Sequence, residues 1–234
     1  MSASTGTTSS PSVYTTSAFW ERLWRTAGIQ SFLCFIVAYI VYGHQPQVGA
    51  SADALAAFYD GDRTRILIAA VFYGLAVLNL MWFAAAIKTT LAAAGQDGWG
   101  AAVTASSAAL GALFLLLTAV VTGLAYSSGN RLLASGLNDF VWAGFVLSSF
   151  PRAMLIMAAA FGLWRAQQIS NALFAVGVAA VVLVLLGGTT WLSGGFWAPD
   201  GVYSRFVSPA IGVVWGMVVS GVLLTRSPAT RAGW

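Results

Sequence analysis

Long runs of apolar residues, separated by short polar segments, dominate the chain. The runs are continuous and close to the ~20 residues that an α-helix needs to cross a bilayer. Strands of a membrane barrel would instead alternate apolar and polar positions over roughly 10 residues. In lipid each backbone N–H and C=O group needs a partner within the protein, which a helix supplies. The pattern therefore predicts an all-α polytopic membrane protein, a bundle of about six transmembrane helices at residues 27–43, 64–87, 99–126, 140–164, 172–191 and 206–224.

Composition supports a membrane location and a single transmembrane domain. Apolar residues make up 59% of the chain and charged residues only 8%, against about 25% charged residues in a soluble domain. The net charge of +4 comes from scattered single residues, which form no basic stripe for nucleic acid. We expect a disordered polar tail at 1–16, one transmembrane domain at 17–226 and a cytoplasmic tail at 227–234.

The distribution of Lys and Arg predicts that both termini lie in the cytoplasm. Cytoplasmic loops of membrane proteins carry an excess of these two residues. With the N-terminus inside, the inner segments hold six of them and the outer loops hold four. The outer four are Arg63, Arg65, Arg131 and Arg205.

Arg152 is the charged residue whose position depends on where the fourth helix begins. In a continuous helix over 140–164 it lies twelve residues from either end, roughly 18 Å deep at 1.5 Å per residue. A guanidinium at that depth needs a polar partner or a watered cavity. The candidate partners and pathway residues are Asn79, Tyr73, Thr118 and Thr122. Such an arginine would attract an anionic head group or carboxylate.

The segment around Pro151 also supports a second interpretation. Ser148 as a cap and Pro151 in the first turn are a helix-start signal. The fourth helix would then run from Pro151 to about Ile169, and Arg152 would lie at the outer head groups. The sequence leaves both interpretations open.

The acidic residues restrict the chemistry available to the chain. All seven lie near helix ends or in loops, so an enzyme with paired carboxylates would work at the outer face with Asp60, Asp62 and Asp139. One histidine, His44, and one cysteine, Cys34, do not suffice for a bis-histidine haem or a typical zinc site. We therefore expect no cofactor and no metal.

Small residues recur on one face of the last helix at Gly212, Gly216 and Ser220. Small residues let two helices approach closely in a membrane. The face is either packed inside the bundle or forms a contact with a second copy or another membrane protein.

The order of several short motifs resembles a known family. A first apolar run is followed by a loop from Gln45-Pro46 to Phe58-Tyr59-Asp60, and Arg63-Thr64-Arg65 opens the second run. Later motifs are Trp82-Phe83, Lys88, Phe150-Pro151 and Trp164-Arg165. Over roughly residues 27–190 the chain thus resembles the multi-span integral membrane proteins of actinobacteria that are grouped under a domain of unknown function. The resemblance implies a fold and a membrane location, and no activity.

Three functions fit these observations, in order of preference. The first is a membrane protein without intrinsic catalysis, either an accessory subunit with a protein partner or a binder of lipid-like molecules. The second is a small transporter or exporter of amphiphilic or anionic molecules. The third is a membrane enzyme that uses the acids of the outer loops. The expected partners are the lipid bilayer and a second protein or a second copy of the chain.

Overall fold

The protein is an all-α helical bundle. The computed structural model describes residues 18–127 and 131–225, and its side chains from 24 to 127 and from 133 to 225. The predicted tails at 1–16 and 227–234 lie outside the described residues. No β-strand occurs within the described ranges. The helices are α1 (Ala18–Tyr42), α2 (Ala52–Gly61), α3 (Arg63–Ala92), α4 (Asp97–Ser127), α5 (Arg131–Leu147), α6 (Ser149–Arg165), α7 (Asn171–Gly187) and α8 (Ser208–Thr225).

The lengths and composition of the apolar helices are those of a helical membrane protein. Five segments of the described chain are long and apolar enough to cross a bilayer: Trp24–Tyr42, Arg63–Ala92, Asp97–Ser127, Leu133–Arg165 and Tyr203–Thr225. A sixth apolar helix, α7, has 17 residues, which is the lower end of the range for a spanning helix.

Six helical segments form a closed ring. Along the ring α1 packs on α3, α3 on α4, α4 on α6, α6 on α7, α7 on α8, and α8 returns to α1. The main core consists of apolar side chains that these helices direct inward, among them Phe83, Leu163 and Trp215. Many of the large apolar residues on the outside of the ring are exposed, such as Val71 and Val176. Lipid is the solvent that suits this outer surface.

The short helix α2 covers one end of the ring, which we name the α2 end. Ser51 caps α2 by accepting a hydrogen bond from the backbone N–H of Ala54, as Ser does at many helix starts. Leu55, Phe58 and Tyr59 of α2 are buried against α3, α4 and α5. α2 therefore closes a second, smaller core at this end of the bundle.

Helices α5 and α6 continue into each other at Ser148. This residue keeps right-handed helical angles, with φ −61° and ψ −14°. Its N–H bonds the carbonyl of Gly144 at 2.9 Å, and its own carbonyl accepts from Arg152 N–H at 3.1 Å. Pro151 has no N–H to donate, so it weakens the ladder locally without ending the helix. Of the two sequence interpretations, the structure thus shows the continuous helix, with Arg152 inside the apolar stretch Leu133–Arg165.

The small residues of α8 differ in what they contact. A Cβ added to Gly216 would collide with the ring of Phe32 on α1, and one added to Gly28 of α1 would collide with Ser220. The Ser220 hydroxyl is buried and donates to the carbonyl of Gly216 at 2.9 Å. Nothing lies within 4 Å of a Cβ added to Gly212. Gly216 and Ser220 thus serve packing inside the bundle, whereas Gly212 faces open space.

Candidate functional site

An apolar cavity of about 390 Å³ lies inside the ring of helices, and we name it the large cavity. Side chains of α1, α3, α4, α6 and α8 line it, including Phe32, Phe83, Leu110, Ile156 and Trp215. A volume of this size falls within the ~300–1,000 Å³ typical of small-molecule sites. The lining is almost entirely aliphatic and aromatic, so the cavity suits the hydrocarbon part of a ligand.

The large cavity opens sideways between α1 and α8. Its lining residues that are exposed at the protein surface are Ile36, Tyr39, Phe206, Ala210 and Val214. All five belong to α1, to α8 or to the turn that precedes α8. The opening therefore faces the region that lipid occupies around the ring.

Two contacts between α1 and α8 limit this opening. Phe32 against Gly216 closes it on the side away from the α2 end. Tyr39 and Phe206 meet edge to face, with ring centroids 6.1 Å apart, and close it towards the α2 end. Gly212 lies between these contacts and lines the large cavity. The absence of a side chain at Gly212 is what keeps the passage wide.

A second cavity of about 100 Å³, the small cavity, continues from the large one towards the α2 end. The two cavities share five lining residues: Tyr39, Tyr73, Phe114, Phe145 and Arg205. The small cavity carries more polar side chains, among them Tyr42, Gln45 and Thr118. Together the two cavities form a site with an apolar chamber and a more polar end.

Arg205 lies where the two cavities meet. It belongs to a π-helical turn, Tyr203–Val207, a local widening that is frequent at functional sites. Only 7% of the residue is exposed. Its Nε donates to the Tyr39 hydroxyl at 3.2 Å, and its Nη1 contacts His44 Nε2 at 3.1 Å. The guanidinium also lies over the rings of Trp142 and Phe206, at 5.5 and 5.7 Å from their centroids.

Arg152 is the second arginine that lines the large cavity. Its side chain turns back towards the start of α6, as long side chains on helices do. Nε donates to the carbonyl of Ser148 at 3.3 Å, and Nη2 donates to the Ser149 hydroxyl at 3.1 Å and to the carbonyl of Phe145 at 3.5 Å. The polar groups beside the Pro151 irregularity thus hold the guanidinium close to the α2 end of the cavity.

The arginines at the surface of the α2 end are paired differently. Arg63 lies 3.6 Å from a carboxylate oxygen of Asp60, and Arg65 lies 2.5 Å from one of Asp62. Within the described part of the chain, no Asp or Glu side chain lines the large or the small cavity. These two surface arginines are paired with acids, whereas the arginines of the cavities contact carbonyls, hydroxyls, His44 and aromatic rings.

The pathway residues expected from the sequence are distributed unevenly. Tyr73 lines both cavities and Thr118 lines the small one, where its hydroxyl donates to the carbonyl of Phe114 at 2.7 Å. Asn79 does not meet Arg152, because its amide donates to the carbonyl of Leu75 in its own helix at 2.9 Å. Thr122 is half-buried on α4 and lines neither cavity.

The three acids expected at the outer face are engaged in local contacts. Asp60 and Asp62 pair with the arginines three residues later, and Asp139 accepts a hydrogen bond from the backbone N–H of Gly49 at 3.1 Å. Among the described residues, no three His, Cys, Asp or Glu side chains come together as a metal-binding group.

Sequence reasoning did not single out Arg205, although a signal was present. Arg63 and Arg65 each have an aspartate three residues earlier, whereas Arg152 and Arg205 have no acid within four residues on either side. The difference distinguishes the two cavity arginines from Arg63 and Arg65 only, because the exposed Arg165 also has no acid within four residues. Comparison of the chain with protein-family models, with curated proteins and with solved structures gave no match in any of the three.

Proposed function

We propose that this membrane protein binds lipid-like molecules in the large cavity and has no catalysis of its own. The observation that supports the proposal is an apolar chamber of about 390 Å³ that opens sideways between α1 and α8. A ligand with a hydrocarbon chain enters from the bilayer and places the chain against the apolar lining. The hydrocarbon chain of the ligand leaves lipid for an equally apolar site. Close packing in the cavity and the contacts of the ligand's polar end therefore supply the affinity.

Photolabelling tests this proposal directly. The purified protein, reconstituted in lipid nanodiscs, is irradiated with dodecanol that carries a diazirine on its chain, and labelled residues are identified by mass spectrometry. We expect label on residues of the large cavity such as Leu155 and Ile156. Label confined to residues on the lipid-facing surface, such as Val176 and Val182, would contradict the proposal.

Gly212 provides the matched variants for this experiment. Gly212→Leu puts a side chain into the opening, and we expect it to reduce labelling in the cavity several-fold. Gly221→Leu is the control, because nothing lies within 4 Å of a Cβ added there and Gly221 does not line the cavity. Equal labelling of the two variants would show that the opening between α1 and α8 is not the route of entry.

A transporter of amphiphilic molecules is the second candidate, because the small cavity continues the large one towards the α2 end. In that case a bound amphiphile would leave through the α2 end rather than return to the bilayer. Release of a fluorescent single-chain lipid from proteoliposomes into an external acceptor tests this function. A rate equal to that of protein-free liposomes would leave binding as the better proposal.

We also propose that both termini face the cytoplasm, so that the α2 end faces outward. The excess of Lys and Arg in the predicted inner segments supports this orientation. Cysteines introduced at Ser51 and Thr89, in a Cys34→Ala background, test it. A membrane-impermeant thiol reagent applied to intact cells should label position 51 and spare position 89. The reverse labelling would invert the topology.

A further inference from the structure

We propose that the ligand is a single-chain amphiphile with an anionic head group, and that Arg205 and Arg152 select it. This inference rests on the proposed binding of lipid-like molecules in the large cavity. It adds the chemical class of the ligand and the two side chains that recognise its charge.

The large cavity holds positive charge without a balancing acid among the residues that the structure describes. Arg205 and Arg152 bring two guanidinium groups to one apolar cavity, and no described acid lines it. A cation removed from water is costly unless an opposite charge or a full set of hydrogen bonds compensates it. The chain supplies such acids to Arg63 and Arg65 at the surface but supplies none to the cavity arginines. An anion at the meeting point of the two cavities would compensate Arg205 directly, and Arg152, which lines only the large cavity, would add its positive charge from the same chamber.

Both cavity arginines keep hydrogen-bond donors available. A guanidinium has five N–H donors and no acceptor. Arg205 uses Nε and Nη1, and its Nη2 makes no hydrogen bond with any described residue. Arg152 uses Nε and Nη2, and its Nη1 makes none within the described part of the chain. Carboxylate and phosphate oxygens match such donors in geometry as well as in charge.

The size and polarity of the two cavities match a single-chain amphiphile. If a methylene group fills about as much space as a water molecule, ~30 Å³, the 390 Å³ of the large cavity hold one chain of about a dozen carbons. Arg205 lines both cavities, so the head group lies at their junction, beside the hydroxyl-bearing residues Tyr39 and Tyr73. The arrangement fits one alkyl chain in the large cavity and one anionic group at its polar end.

Competition against the photoreactive dodecanol tests the inference with three compounds that share one chain. These are dodecyl phosphate, dodecanol and dodecyltrimethylammonium, each added to the wild-type protein in nanodiscs. We expect dodecyl phosphate to displace the label at about a tenfold lower concentration than dodecanol, and dodecyltrimethylammonium to be the weakest. Equal potency of the three compounds would overturn the anionic ligand and leave the proposed function standing. No displacement by any of them, with no label in the cavity, would instead overturn the proposed function.

Variants separate the role of the two arginines from effects on the fold. Arg205→Gln and Arg152→Gln should each remove most of the advantage of dodecyl phosphate over dodecanol, measured within the same variant, while dodecanol labelling in the cavity stays detectable. Retained dodecanol binding shows that the cavity is intact. Arg63→Gln is the control for loss of one positive charge at the α2 end and should keep the advantage. A loss in Arg63→Gln as large as in Arg205→Gln would show that general surface charge, not the cavity pair, attracts the anion.

Inorganic phosphate distinguishes a lipid anion from a free one. At concentrations where dodecyl phosphate displaces the label, we expect inorganic phosphate to displace neither the label nor bound dodecyl phosphate. Displacement of dodecyl phosphate by an equal concentration of inorganic phosphate would show that the arginines bind free anions and would overturn the amphiphile as the ligand.

Discussion

The guanidinium of Arg205 contacts Nε2 of His44 at 3.1 Å, across 161 residues of sequence. Arginine has no acceptor atom, so this contact is a hydrogen bond in the tautomer in which His44 Nε2 accepts and Nδ1 carries the proton. His44 holds Arg205 without cancelling its charge, which leaves the cation available to an anionic ligand at the junction of the two cavities.

Replacing His44 by a carboxylate should separate fold stability from ligand binding. In His44→Glu the new side chain pairs with Arg205 and neutralises it. We expect a gain of about 1 kcal/mol in the free energy of unfolding and a rise in the unfolding temperature of about 2–4 °C. The same variant should lose the advantage of dodecyl phosphate over dodecanol. Thermal unfolding and the competition experiment give the two readouts.

His44→Gln is the control, because glutamine keeps a neutral acceptor near Arg205. Both the unfolding temperature and the preference for dodecyl phosphate should stay close to the wild-type values. A His44→Glu protein that still prefers dodecyl phosphate would mean that the charge of Arg205 does not select the ligand.

A buried amide connects the loop before α2 to α5. The side chain of Asn138 is fully buried, and its Oδ1 accepts from the Tyr59 hydroxyl at 2.9 Å and from Gln45 Nε2 at 3.2 Å. Its Nδ2 donates to the carbonyl of Gln47 at 3.1 Å. Asn138→Ala leaves these groups without partners, and we expect a loss of about 2–4 kcal/mol in the free energy of unfolding.

Asn171→Ala is the matched control for this loss. Asn171 is exposed at the start of α7 and accepts one hydrogen bond, from Trp164 Nε1 at 2.8 Å. Its replacement should change the free energy of unfolding by no more than about 0.5 kcal/mol. Similar losses in the two variants, measured by thermal unfolding in the same detergent, would show that the Asn138 network adds nothing beyond an ordinary surface contact.

Tyr59 gives the α2 end a dependence on alkaline pH. Burial raises the pKa of Tyr59 to about 12, whereas the unfolded chain ionises tyrosine near pH 10. Because the unfolded state loses its proton first, the stability that Tyr59 contributes is complete below pH 10 and is lost as the pH rises towards 12. We expect the wild type to lose about 2–3 kcal/mol more than Tyr59→Phe over this interval.

The comparison with Tyr59→Phe isolates this one group. Ionisable groups that do not interact with Tyr59 affect both proteins alike and cancel in the difference, whereas the interaction of Tyr59 with Tyr42 is part of what the difference measures. Urea unfolding at pH 9, 10, 11 and 12 measures it. Parallel losses in the two proteins would show that Tyr59 ionises as easily in the folded state as in the unfolded one.

The sequence predicts the architecture because lipid imposes it. Apolar runs of spanning length, such as 64–87 and 99–126, have no other stable form in a bilayer than a helix. The helix ends are less predictable. α3 extends to Ala92 and α7 ends at Gly187, because turns and packing, rather than hydropathy, decide the last residues of a helix.

The site could be predicted only in part. The isolation of Arg152 within an apolar run can be read from the sequence, as can its need for polar contacts. Its partners could not be predicted, because they are carbonyls near the irregularity that Pro151 causes. Arg205 lies just before the predicted span 206–224, where a charged residue attracts no attention. Its contact with His44 depends on how α1 and the turn before α8 approach each other. No local pattern encodes that approach.

Two glycines one turn apart on α8 provide a test of the packing between α1 and α8. Gly216→Ala puts a methyl group into the ring of Phe32, and overpacking of this kind typically costs about 1–3 kcal/mol. In Gly212→Ala the added methyl group enters open space, so the free energy of unfolding should stay within about 0.5 kcal/mol of the wild-type value. A slight rise is also consistent, because alanine favours a helix more than glycine does. Thermal unfolding of the two variants in the same nanodiscs measures the difference. Equal stability would mean that α1 and α8 are separated enough to accept a methyl group at either position, and the opening at Gly212 would then extend along the whole contact.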